Sequence, residues 1–99
     1  MVSVKEYRIT EEGGNFYIDC LLKGLPINVK IELSGEQFSK LKSSLKTGEE
    51  NETTSNVYMF NKIGYISFPT TVVFFPEKNL IYTKLLALRL PKSLSEAMP

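Results

Sequence analysis

Histidine and tryptophan are missing from this chain, and aspartate, glutamine and cysteine occur once each, as Asp19, Gln37 and Cys20. Without imidazole there is no ordinary base near neutral pH and no histidine metal ligand. A lone cysteine excludes an intrachain disulfide framework. Cys20 alternates with Phe16, Ile18 and Leu22 and reads as a small buried hydrophobe, with a reactive thiol or an intermolecular bridge as the other readings. Glycine occurs singly or as the pair Gly13-Gly14, so no phosphate-cradling loop is present. Nor is there an excess of either charge: twelve basic residues face eleven acidic ones, and the chain has no global field to attract nucleic acid or an anionic membrane. Finally, no run of about 18 apolar residues occurs, and "MVSVKEYRIT" lacks a basic segment followed by an apolar one. These absences predict a soluble, intracellular, non-enzymatic protein with no cofactor, no membrane association and no small-molecule substrate.

Ninety-nine residues make one domain, here residues 1–99. A chain this short buries only roughly 60–65% of its unfolded surface, which leaves a thin margin of stability. Ten of the twelve basic residues are lysine and ten of the eleven acidic ones glutamate, a composition that points to a heat-adapted, thermostable protein.

Val2 and Val4 begin an alternation that resumes out of phase at Tyr7 and Ile9, which predicts a strand bulged near Lys5-Glu6. Residues 11–15 read as a hairpin loop built on the paired glycines. Phe16, Ile18, Cys20 and Leu22 share one face of a second strand, and Ile27, Val29, Ile31 and Leu33 one face of a third. Ser34-Gly35-Glu36-Gln37 has the form of a capping box, Phe38, Leu41 and Leu45 follow at helical spacing, and Gly48 ends the helix. "TGEENETTSN", residues 47–56, has no apolar side chain and reads as an exposed loop. Strands are expected over 57–60 and 63–68 around an Asn61-Lys62 turn, then over 70–75. Residues 80–90 read as a further strand, with a helix as the alternative, and 90–99 as a short C-terminal tail holding at most one helical turn. The predicted fold class is α+β and mainly antiparallel: a three-stranded meander, one helix and further strands, with the sheet or core completed by a second copy.

The reason for invoking a second copy is "FPTTVVFFPEKNLIY", residues 68–82. In a strand Val72 and Phe74 point one way and Val73 and Phe75 the other, so both faces need cover. Leaving a large apolar side chain in water forfeits roughly 1.5–3 kcal/mol, and a two-fold dimer would recover it. Val72, Val73, Phe74 and Phe75 are therefore the candidate interface of a homodimeric interaction or structural protein.

The alternative function is a weak nucleic-acid-binding module. Lys42 and Lys46 share a helix flank with Ser39 and Ser43, and Lys40 lies further round, side chains suited to phosphate. The acidic stretch 49–52 opposes this, and such lysines also make an ordinary solvated face. Tyr58, Phe60 and Tyr65 read either as core or as a stacking platform of the kind found in single-strand binders.

In texture the chain is short, strand-rich and dominated by Lys, Glu, Ile and Tyr, as "MVSVKEYRITEEGGNFYIDCLLKGLPINVKIELSGEQFSKLKSSLK" shows. It resembles the small orphan proteins of filamentous double-stranded DNA viruses of hot-acid archaea, the lipothrixvirus and rudivirus groups. That resemblance implies a stable protein of the infected cell's cytoplasm or of the virion, and it transfers no site residue. It does not extend to the basic, mainly helical DNA-coating proteins of such viruses.

Overall fold

In the computed structural model, which describes residues 1–99, β1 (Val2–Glu12) and β2 (Asn15–Leu22) form an antiparallel hairpin. Val4 pairs with Leu22 and Glu6 with Leu21, so the strand slips by one residue between them. The slip turns both Val4 and Tyr7 into the core although they stand three residues apart. β3 (Asn28–Leu33) pairs with β2 and buries Val29, Ile31 and Leu33, as its alternation predicts. The helix α1 (Gly35–Thr47) starts on the expected capping box, with Ser34 and Gln37 exchanging side-chain and backbone bonds. It ends at Gly48, whose φ of 77° suits glycine.

After α1 the chain departs from expectation. β4 spans Asn51–Phe60 and β5 spans Tyr65–Phe75, paired in unbroken register from Asn51↔Phe74 to Phe60↔Tyr65. Most of the expected loop 47–56 is thus strand. Thr53 and Thr54 carry strand propensity without apolarity, and the inward side chains of Thr53 and Ser55 are small enough to lie against the helix. Pro69 does not split β5, because at that point the strand pairs only with β4 and its other edge makes no ladder bond.

A single 3-10 turn, Pro76–Lys78, leads into β6 (Leu80–Thr83) and β7 (Ala87–Arg89). Residues 80–90 are therefore extended, as expected, but fold as a hairpin: the Thr83 hydroxyl accepts from the Leu86 amide and turns the chain. β7 then lies parallel to the start of β1, pairing Val2 with Leu88 and Ser3 with Arg89, and the seven strands close into a barrel. The expected open α+β sheet, completed by a second copy, is overturned. One chain closes the sheet itself, through the pairing of β7 with the start of β1 ahead of the bulge.

The core fills the barrel with Ile18, Cys20, Val29, Ile31, Val57, Val72, Phe74, Ile81 and Leu88, all essentially inaccessible. Phe38 of α1 stacks on Phe16 with centroids 4.0 Å apart, which seats the helix against the barrel. Residues 90–99 do more than trail away. The Tyr7 hydroxyl donates to the Lys92 and Ser93 carbonyls at 3.1 and 2.8 Å, and α2 (Leu94–Ala97) buries Leu94. No helix is long and apolar enough to cross a membrane.

Candidate binding groove on the outer face of the barrel

Because side chains alternate across a strand, the residues between the core positions of β2, β3 and β4 all face outwards. On β2 these include Tyr17, on β3 Lys30 and Glu32, and on β4 Asn56, Tyr58 and Phe60; Tyr65 opposite Phe60 brings in β5. The register sets Tyr17 opposite Glu32, Lys30 opposite Tyr58 and Phe60 opposite Tyr65. Four aromatic rings from three strands thus share one outer surface with a lysine among them.

The β1–β2 and β4–β5 turns bound this surface and make it a cleft of about 670 Å³, lined by Glu12, Tyr17, Lys30, Tyr58, Lys62 and Tyr65 among others. That volume is within the range of small-ligand sites. Lys30 Nζ stands 5.5 Å from the ring centroids of both Tyr17 and Phe60, a cation held between two π faces. The Glu32 carboxylate ties the rings from the side. Its Oε1 accepts from the Tyr17 and Tyr58 hydroxyls at 3.1 and 3.2 Å, and its Oε2 accepts from Asn56 at 3.4 Å. Partial desolvation in the cleft, together with the Glu32 charge and its hydrogen bond, raises both phenols above the ordinary tyrosine value, so they stay neutral donors well into alkaline solution. Tyr58 and Tyr65 meet at 6.2 Å with a tilt of 52°, and Tyr65 remains 69% exposed. The rings are held in place yet open to a ligand.

The helix flank offers less. Ser39, Lys42, Ser43 and Lys46 do share an exposed side of α1, but none of them lines the groove. Lys42 rests 5.7 Å over the Phe38 ring, and Lys40 pairs with Glu36 at 3.3 Å. The proposed interface residues divide by face. Val72 and Phe74 are wholly inside the barrel and offer no surface. Val73 and Phe75 point outwards but are half-buried: Val73 is flanked in register by Glu52 and Tyr82, and Phe75 packs edge-on against Tyr82 at 5.2 Å. Lys78 adds cover 5.7 Å over the Phe75 ring. β6 and its neighbours thus supply within one chain the cover that seemed to require another.

Tyr17, Lys30, Glu32 and Lys62 were not legible as site residues from the sequence. The available signal was phase: Tyr17 sits between the core residues Phe16 and Ile18, and Tyr58 between Val57 and Met59, so both had to face out. Burial pushes the Cys20 thiol up to about 12, which removes it as a nucleophile. No group of three or more Cys, Asp or Glu side chains is placed to hold a metal ion. No family model, curated protein or solved structure matches the chain.

Proposed function

We propose that this protein is a non-catalytic barrel that binds a short stretch of single-stranded nucleic acid across its aromatic groove. The carrying observation is Lys30 Nζ lying 5.5 Å from two rings on a surface that also presents Tyr58 and Tyr65. Bases of an unpaired strand stack on such rings, and every base has a π face, so the mode tolerates sequence. Lys30 and Lys62 are the cations within reach of the phosphates. A duplex would keep its bases from the rings, which favours a single strand. Glu12 at the rim opposes phosphate, and the near-neutral chain adds no long-range attraction, so the affinity is weak. The resemblance to small viral proteins is compatible with this role and contributes no residue to it.

Fluorescence anisotropy with labelled oligothymidylate and oligouridylate at low salt tests the proposal. Tyr58→Ala and Tyr65→Ala should each weaken binding by about 5- to 150-fold, the worth of one stacked base. With two lysines engaged, the slope of log affinity on log salt should be about −1.4. Lys42→Glu with Lys46→Glu should change little. Absence of binding at about millimolar protein, or binding indifferent to both tyrosines, would refute the reading.

A further inference from the structure

We infer that the bare edge of β5, residues 65–71, pairs with the same edge of a second copy of this chain. The barrel leaves three strand edges without a neighbouring strand. β7 covers only Val2 and Ser3 of β1, β3 covers only 57–60 of β4, and β6 covers only 72–75 of β5. An unpaired edge presents a row of amide donors and carbonyl acceptors to any extended chain, and proteins blunt such edges with charge, proline or a covering element. Two of the three are blunted. The open edge of β1 carries the exposed charges Glu6, Arg8, Glu11 and Glu12. The open edge of β4 is roofed by α1, where Gln37 Nε2 donates to Thr53 Oγ1 at 2.7 Å and to the Thr54 carbonyl at 2.8 Å.

The third edge has neither charge nor a roof, and Pro69 is its one blunting residue. From Ile63 to Pro76 there is no charged residue at all, and only Pro69 interrupts the donors. Around it gather three exposed large apolar side chains: Ile63 is 95% exposed, Tyr65 69% and Ile66 62%. A strand of unlike charge pattern is not selected here, because there is no charge to read. What the edge does satisfy is the requirement of a two-fold contact, in which a segment faces its own copy and any charge near the axis would meet its like. The occupant is therefore the same strand, running antiparallel across the axis, with Ile63 and Ile66 covered beside it. This pairing stands on the edge alone and does not use the groove's ligand. It has a geometric consequence all the same, since it would set the two Tyr65 rings on one continuous outer surface.

The test is sedimentation equilibrium from about 1 μM to about 1 mM, a span chosen for a short, weak contact, together with hydrogen exchange at both ends of that range. A dimer should form, and amides within 65–71 should exchange more slowly at high concentration while those of 6–12 do not change. Ile66→Glu, at an exposed position outside the aromatic groove, should keep the circular dichroism spectrum and weaken dimerisation at least about tenfold. Arg8→Glu on the charged edge should leave it unaltered. A monomer throughout the range would overturn the inference. So would a dimer that ignores Ile66→Glu and protects no amide between 65 and 71.

Discussion

Gln37 donates from Nε2 to the Thr54 carbonyl at 2.8 Å while its Oε1 accepts from the Ser34 amide at 2.9 Å, so one side chain both caps α1 and closes the free edge of β4. The two tasks can be separated. Gln37→Ala removes both and should cost about 1–2 kcal/mol in urea unfolding. Gln37→Glu keeps the capping acceptor but has nothing to donate, and it sets a carboxylate against a carbonyl. Hydrogen exchange should then speed up in 51–56 and hold steady in the first turn of the helix.

Gly48 is the position at which α1 least tolerates a side chain. Its φ is 77°, and a Cβ there would run into the Glu77 carboxylate. Gly48→Ala should therefore destabilise by about 1 kcal/mol or more, the cost of left-handed backbone. Adding Glu77→Ala should restore only the steric part, which a double-mutant thermal melt would resolve.

Ser55 makes the opposite case. Its hydroxyl is buried without a hydrogen-bond partner, directly across from Thr70 in the β4–β5 register. A desolvated hydroxyl that bonds to nothing is a net loss, so Ser55→Ala should be neutral or raise stability by up to about 1 kcal/mol. A fall in the melting midpoint would show that the hydroxyl is satisfied in solution.

Stability should fail on the alkaline side. Burial raises the Cys20 thiol from 9.0 to about 12, and Asp19 adds to the shift. Burial likewise raises Tyr7 well above 10.0, helped by Cys20 and Glu96, while Tyr17 and Tyr58 are raised by desolvation and Glu32. Each group keeps its proton longer in the folded chain than in the unfolded one. The unfolded state therefore gains by releasing protons first, so this stabilisation is whole below about pH 9 and drains away as pH rises through the folded values. For Cys20 alone the loss reaches at most about 4 kcal/mol by pH 12. Melting midpoints should be level from pH 7 to about 8.5 and then fall, and Cys20→Ala should flatten the decline.

Several local elements of the fold, though not its closed architecture, are legible in the residues. The bulge after Val4, the meander, the capping box at Ser34 and the stop at Gly48 all follow from local patterning, which depends on neighbours in sequence. Two things did not follow. Closure between β1 and β7 rests on four residues brought together by long-range geometry, for which Val2, Ser3, Leu88 and Arg89 carry no mark. The strand at 51–56 was hidden because Thr53 and Ser55 turn inwards beneath a helix where apolar side chains would be expected. The cover of Phe75 by Tyr82 and Lys78 was equally hidden, and without it the two apolar faces of 72–75 called for a second copy. The aromatic groove was half visible: Tyr58, Phe60 and Tyr65 were evident as a set, but whether they lay inside or outside depended on a pairing with β3 that crosses the whole helix.

The two-pair seam between β1 and β7 also governs the order in which this molecule can be made. Its donors and acceptors lie at Val2–Ser3 and Leu88–Arg89, so a ribosome must release almost all of the described chain before the ring of strands can shut. Until then the meander, the helix and the β4–β5 ribbon can assemble, since each pairs with elements already synthesised. The start of β1 has to wait with an open flank. The closing contact joins the two ends of the described chain, so its loop-closure entropy is the last to be offset, and this step should be slow relative to the hairpins that precede it. The charges along β1 acquire a second use in that interval, as guards of a nascent chain whose final partner has not yet been translated.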